Sequence, residues 1–410
     1  MKQQKLVSSE KIKNDNEPEL RFPEFNSKWN EVKLKDISDL TSSKRIYLSD
    51  YTDDGIPFYR GAEITLLKEN KTIETDLYIS KNKYDEIRNK FGVPKKDDIL
   101  ITGVGTLGNV YRIPNDNPFY FKDGNLIWLK NISQNSNFLE LYLEYKKNDI
   151  LKLAIGSTQK ALTMQNLEKL RLNIPSLKEQ EKISNFLKTI NMKIKLLERE
   201  KIVFHSTKGS IIKTLYDNIL INSDEELIND LFSIKKGKGL SKEKIDKNGQ
   251  YSAILYGELY TTYNEIIEST ISFTDYEEGF LSKKGDILIP GSTTTKGIDL
   301  VTASVVCEDN IQLGGDINIL RKKQELNPVY VATFIKYCMK REILRLTQGS
   351  TIIHLYGKDL KDLSIKLPSL EVQNNIANFI KYYNAKEKLY DEEINKVKDF
   401  KKGLLQKMFI

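Results

Sequence analysis

Cysteine is nearly missing from this 410-residue chain: Cys307 and Cys338 stand alone, without a Cys-x-x-Cys spacing. That excludes a disulfide framework or a cysteine-built zinc site as the organising principle, and a reducing cytosol is the natural compartment. Histidine is as scarce. His205 falls in a helical pattern and His354 just after a Gly-Ser-Thr loop, so the two build neither a zinc site nor a Ser/His/Asp set. No stretch approaches ~18 uninterrupted apolar residues, so no segment is expected to span a membrane. The opening MKQQKLVSSEKIKNDNEPE is basic but has no apolar core, unlike a secretory signal.

What is present suits a soluble globular protein: 30% charged and 39% hydrophobic residues, with a formal charge of +7. The length accommodates two domains, each able to bury its own core. The positive balance leans mildly towards an acidic partner such as nucleic acid.

The chain also says part of itself twice. Gly156 to Leu187 reads GSTQKALTMQNLEKLRLNIPSLKEQEKISNFL, and Gly349 to Ile380 reads GSTIIHLYGKDLKDLSIKLPSLEVQNNIANFI, at a constant offset of 193. A repeat of roughly 190 residues is a domain plus a connector, which makes the molecule a pseudo-dimer on one chain. Upstream the echo is looser. Asp286-Ile287-Leu288-Ile289-Pro290-Gly291 answers Asp98-Ile99-Leu100-Ile101-Thr102-Gly103, and Gly315-Asp316-Ile317 answers Gly124-Asn125-Leu126. The scaffold repeats while the loops diverge, as expected if each half reads something different.

Residues 1–18 are polar and expected to be disordered. From Trp29 to about Leu172, and again from Ser223 to about Leu367, short β-type runs alternate with Gly- and Asn-rich turns. A helix is expected over Phe138–Ala154. In Pro175-Ser176-Leu177-Lys178-Glu179, Ser176 can cap a helix and Glu179 can complete a capping box. The helix that follows carries Ile183, Leu187, Ile190, Ile194 and Leu197, resuming at Phe204 and Ile211. The second copy carries Ile376, Ile380, Tyr383, Tyr390, Ile394, Val397, Leu404 and Met408. Spacings of 4 and 3 are a coiled-coil seam, and ~40 residues make a rod of about 60 Å. Paired antiparallel, the helices would set two globular domains at opposite ends. The fold class expected is therefore α+β, two pseudo-symmetric β-rich domains separated by two long helices in an antiparallel coiled coil.

Several motifs dissolve on inspection. Gly103-Val104-Gly105-Thr106-Leu107-Gly108 matches a dinucleotide fingerprint, but a strand-like Asn109-Val110-Tyr111-Arg112 follows where that motif needs a helix. We read it as a β-turn. Asn117-Pro118-Phe119-Tyr120 and Asn327-Pro328-Val329-Tyr330 lack the second proline of the amino-methyltransferase motif. Acid pairs such as Asp97-Asp98 sit in turn-like settings as solvated carboxylates. No catalytic centre and no metal site emerges.

The basic loops carry more. Lys44 and Arg45 follow the first strand of the first half; Lys235, Lys236, Lys238 and Lys242 follow the matching strand of the second at an offset of 194. Lysine beside serine and threonine suits phosphate oxygens. Tyr59 stands next to Arg60, a side chain able to grip guanine bidentately. The Gly-Ser-Thr loops add Ser157, Thr158, Gln159 and Lys160 in the first half and Ser350 and Thr351 in the second. Ser292, Thr293, Thr294 and Lys296 complete the DNA-binding candidates.

Gly-Ser-Thr, a Leu ladder, Leu/Ile-Pro-Ser-Leu, Gln and Ile-x-x-Phe, twice and each time opening a long helix, resemble the specificity subunit of type I restriction–modification systems. So do the Pro-x-Leu-Arg-Phe-Pro-x-Phe block before Trp29 and the ending Lys401-Lys402-Gly403-Leu404-Leu405-Gln406-Lys407-Met408-Phe409. The second copy departs in having Val372 where Glu179 stands.

The resemblance implies target recognition domains at 19–175 and 222–368 and spacer helices at 176–221 and 369–410. Each domain would read half of an asymmetric DNA site, the half-sites lying about one turn (~34 Å) apart. The chain itself would hold no cofactor. S-adenosylmethionine, ATP and Mg would belong to two modification and the restriction subunits docked along the seam, in a prokaryotic cytoplasm, at the nucleoid. Two rival readings are a nucleotide-dependent DNA methyltransferase, against which the missing motifs argue, and a coiled-coil adaptor that binds proteins only.

Overall fold

The computed structural model describes residues 17–69, 71–73, 75–157, 160–219 and 223–410. All but the last two residues of the expected tail lie outside this set, as do Thr158 and Gln159. The described chain forms two compact units, one running to Leu196 and taking in Ile394–Ile410, the other Leu197–Glu393.

In the first unit the strand Asn30–Lys33 pairs antiparallel with Arg171–Ile174, closing the β-rich part on itself. Between them lie two four-stranded sheets. One runs Asp39–Thr41, Leu126–Lys130, Ile99–Thr102, Val110–Arg112; the other Tyr51–Thr52, Tyr78–Ile79, Ile56–Tyr59, Tyr120–Phe121. The run Ile99–Thr102 is buried at every position, as an apolar stretch without alternation requires. The expected helix over Phe138–Ala154 is two, Ser136–Tyr145 and Lys147–Lys152. Lys146 leaves helical geometry between them, with its ammonium over the rings of Tyr142 and Tyr145.

The second unit repeats the plan. Asp224–Leu227 pairs with Ser364–Leu367. A five-stranded sheet is centred on the buried Ile287–Pro290, and a four-stranded one holds Tyr251–Ile254 parallel to Gln312–Leu313. That parallel pair answers Ile56–Tyr59 beside Tyr120–Phe121 in the first unit. The echoing Asp98 and Asp286 are framework groups, not the solvated turn carboxylates expected of such positions. Asp98 accepts from the backbone N–H of Lys95 and the indole of Trp128, and Asp286 from the N–H of Lys283 and the guanidinium of Arg321. Burial, against these bonds, raises the Asp98 carboxyl above its ordinary range.

The two long helices span Leu177–Ile219 and Leu370–Met408, 43 and 39 residues, or about 65 and 58 Å. They pack antiparallel. In the first unit Ile183, Leu187, Ile190 and Ile194 share a core with Val397, Leu404 and Met408. In the second, Ile212 and Tyr216 share one with Ile376 and Ile380, and Phe204 stacks on Tyr383 with 3.9 Å between ring centres. The seam thus also serves as part of each unit's own core.

Ile211, expected in the stripe, is 40% exposed and Ile212 is buried in its place. After Phe204 the inward positions step by four, through Lys208, Ile212 and Tyr216, a phase shift of the kind an inserted four-residue step produces. Lys208 is accordingly a buried cation. Its ammonium contacts Glu265 at 2.9 Å, Asn384 at 2.6 Å and Glu387 at 3.4 Å. Glu265 also meets Lys336 at 2.9 Å and the Tyr337 hydroxyl at 2.5 Å. Burial opposes the Glu265 charge, but the ammonium groups of Lys336 and Lys208 outweigh it and hold its carboxyl well below the usual range.

Each long helix is tied down at its start by a repeated glutamine. Gln180 accepts from the backbone N–H of Asn135 at 3.0 Å and donates to the carbonyl of Pro175 at 2.9 Å. Gln373 does the same with Asn327 and Pro368, at 2.9 and 2.8 Å. The expected capping box forms only in half: Ser176 accepts from the N–H of Glu179, but the Glu179 carboxylate turns inward. There it receives two Arg21 bonds of 2.7 Å and the Trp29 indole at 3.3 Å. The N-terminal aromatic–proline block is held by that carboxylate.

Candidate nucleic-acid interface

In the first unit the basic candidates gather where Ile56–Tyr59 and Tyr120–Phe121 end side by side. The Arg45 guanidinium lies 3.0 Å from Asp123, and the N–H of Lys122 donates to the carbonyl of Tyr59. Tyr59, next to Arg60, is half-buried with its ring against Phe119. Arg60 opens the helix Gly61–Lys68, and its guanidinium closes on Glu63 at 2.6 Å. Lys44 is exposed, with its backbone N–H on the Tyr120 hydroxyl and its ammonium 4.8 Å from the centre of the Phe91 ring.

The Gly103–Gly108 segment is a turn between strands, with Val110–Arg112 following it. It adjoins the first Gly-Ser-Thr loop, since Leu162 donates to the carbonyl of Gly103 and Ile155 pairs with Ala161. Ser157 and Lys160 are exposed on that loop; Thr158 and Gln159 lie outside the described residues. The turn also brings in groups that sequence reasoning missed. Thr65 meets Thr106 and Asn109, each at 3.2 Å, and Lys147 donates to Asn109 at 2.7 Å. Burial, and then the nearby Lys68, lower the Lys147 ammonium below its ordinary range. The divergence of this turn between the two halves was the available signal.

In the second unit Asp316 is the meeting point. Lys236 lies 3.0 Å from it and the Ser292 hydroxyl donates to it at 3.1 Å. Ser292 and Thr293 then pair with His354 and Ile353, which brings the second Gly-Ser-Thr loop alongside. Both side chains are buried, at 2% and 0% exposure. This corrects their place among the DNA contacts: Ser292 holds Asp316, and Thr293 bonds Thr295, so their hydroxyls are committed to the framework. Thr294, Lys296, Ser350 and Thr351 are exposed, as are Lys235, Lys238 and Lys242. Gly237 passes so close to Gly314 that an added Cβ would lie 1.8 Å from its carbonyl oxygen, which dictates glycine there.

The seam candidates face inward. Ile183, Leu187, Ile190, Ile194, Leu197, Ile376, Ile380, Tyr383 and Ile394 are buried, and Tyr390 and Val397 half-buried, within the chain itself. Their side chains pack the two helices against each other. Among the described residues no group of three or more His, Cys, Asp or Glu is placed to hold a metal, and no helix is long and apolar enough to cross a membrane.

The parallel strand pairs of the two units match in register. Phe58 and Tyr59 face Tyr120 and Phe121 as Ala253 and Ile254 face Gln312 and Leu313. Glu63 accepts from the N–H of Arg60, and Glu258 from that of Leu255. Arg60 and Leu255 are therefore equivalent, one glutamate scaffold presenting two unlike side chains.

The family model for the type I restriction modification DNA specificity domain matches twice, over residues 26–203 and 223–399. A putative type I restriction enzyme specificity subunit of Haemophilus influenzae is 35% identical over 159 residues, 38% of each chain. The type I restriction enzyme MjaVIII specificity subunit of Methanocaldococcus jannaschii is 26% identical over 193 residues, 46% of this chain and 45% of that one. The matched segments thus span less than half the length of these relatives. The crystal structure of a type I restriction–modification S subunit from M. genitalium shares the fold, with a TM-score of 0.53 at 16% identity over 96% of this chain and 99% of that one. With both halves matched and two recognition domains carried on long antiparallel helices, the chain belongs to the type I restriction–modification DNA specificity family, whose members are non-catalytic.

Proposed function

We propose that the chain reads an asymmetric, bipartite DNA site, one half-site per recognition domain, for a type I restriction–modification complex. The recognition domains are residues 19–175 and 222–368, and the spacer helices 176–221 and 369–410. The observation that carries this reading is the unlike pair on a like scaffold: Arg60 over Glu63 in one unit, Leu255 over Glu258 in the other. Two domains with different side chains at one scaffold position, an exposed arginine in one and a half-buried leucine in the other, suit a site whose halves differ. Lys44, Arg45, Lys160, Lys235, Lys236, Lys238, Lys242 and Lys296 supply the cations for phosphates, and Arg60 reads a base. Ser157, Thr294, Ser350 and Thr351 add hydroxyl donors.

The partners in this reading are two modification subunits that use S-adenosylmethionine to methylate adenine, and restriction subunits that spend ATP with Mg on translocation and cleavage. They dock on the outward faces of the helices, where Met192, Leu196, Ile202, Val203, Tyr382 and Leu389 stay exposed. The complex works in the cytoplasm of a prokaryote, at the DNA.

The test is competition binding by the chain assembled with its modification subunits. Scrambling either half-site, or changing the gap between them by one base pair, should each weaken binding. Binding indifferent to all three changes supports the adaptor reading instead.

A further inference from the structure

The most exposed large apolar side chain among the described residues is Leu48, at 87%, and its neighbour Tyr47 is 64% exposed. Single exposed leucines are ordinary on protein surfaces. This pair is different because the turn beneath it is fixed. Ile46 is buried as an anchor, the N–H of Tyr47 donates to the Asp50 carboxylate at 3.0 Å, and the N–H of Asp50 returns to the Tyr47 carbonyl at 2.9 Å. Asp50 is in turn held by Lys83 at 3.3 Å. Two exposed cations flank it, Lys44 against the Phe91 ring and Arg45 paired with Asp123.

The repeat supplies the second observation. The same short turn recurs at Lys242–Lys244, matching Leu48–Asp50 at an offset of 194, with Leu240 buried where Ile46 is. Its tip reads Ser241-Lys242 in place of Tyr47-Leu48. A phosphate-type cation at the tip in one unit and an apolar pair in the other is the contrast expected of two elements that face one polyanion differently.

We propose that Leu48, with Tyr47 beside it, is an apolar wedge that enters a groove of the first half-site and packs against base edges, and that Lys242 replaces it in the second unit as a backbone contact. The proposal rests on the reading of the chain as a DNA specificity subunit. DNA is the occupant the surroundings favour, because an apolar tip flanked by cations suits a groove walled by phosphates, where leucine is among the side chains that wedge between base steps.

The experiment is a salt titration of duplex binding by the full chain assembled with its modification subunits, wild type against Leu48→Ala and Leu48→Lys. An 87%-exposed side chain can be changed without loss of fold, and a melting curve checks this. Losing a buried leucine contact weakens specific binding about tenfold or more. Leu48→Ala should show that loss with an unchanged slope of log affinity against log salt, and Leu48→Lys should steepen the slope by about 0.9. Leu48→Ala binding as tightly as wild type overturns the proposal. So does a Leu48→Ala chain that no longer assembles, since that marks a subunit contact. A wild-type complex with no salt-dependent DNA binding instead defeats the reading beneath it.

Discussion

The Arg60 guanidinium lies 2.6 Å from Glu63, a buried carboxylate that also takes the Arg60 backbone N–H at 2.8 Å. Burial works against the Glu63 charge, but the bonds from Arg60 outweigh it and keep the carboxyl below its ordinary range. The arginine is thus oriented before any DNA arrives. Arg60→Ala should relax selection at one base pair of the first half-site by about 1–3 kcal/mol, read by competition among single-substituted duplexes. Glu63→Gln should cost less at the same base pair. A loss spread evenly over all sequences contradicts the base-reading role.

Lys236 is treated differently by its surroundings, being paired with Asp316 at the surface. Lys236→Ala should weaken every duplex alike and flatten the salt dependence by about 0.9, the signature of one lost phosphate contact. An unchanged slope would place Lys236 in the framework with Ser292.

The repeated glutamines make a stability prediction. Gln180→Leu and Gln373→Leu each strip the partner from a backbone N–H, that of Asn135 or Asn327, at the start of a packed helix. Each should cost about 1–3 kcal/mol in chemical denaturation. Equal stability of either variant and wild type would contradict the role assigned here.

Acid should attack the second unit through Glu265. Its folded carboxyl titrates below the ordinary value of 4.5. The stability it contributes is therefore complete above about pH 4.5 and lost as pH falls towards the lower folded value. Below pH 4.5 the wild type should lose up to ~1.4 kcal/mol per pH unit more than Glu265→Gln. Parallel pH profiles would count against the charged cluster.

Much of this was legible in the sequence because repetition supplied it. The offset of 193 and the 4–3 spacing of Ile376 to Met408 predicted both long helices and their antiparallel pairing. The seam's polar core was harder to see. Lys208 and Glu387 fall outside the apolar stripe read from the sequence, and Glu265, which pairs with Lys208, lies 57 residues away, just before the strand Ile266–Ile267. Ser292 and Thr293 looked like loop donors because the short pairing that buries them joins residues some sixty positions apart. Glu179 offered a local capping partner, yet Arg21 and Trp29, about 150 residues away, claimed it. Local patterns spoke for elements. Long-range partners decided which polar groups stayed free.

The central claim is that this chain chooses where its complex acts on DNA. The most direct measurement is a genome-wide map of adenine methylation in cells carrying the modification subunit with this chain, against cells lacking only this chain. The account predicts a two-part motif with a fixed gap, present only when the chain is present. An identical methylation map in both cells, with the complex shown to assemble, would contradict it.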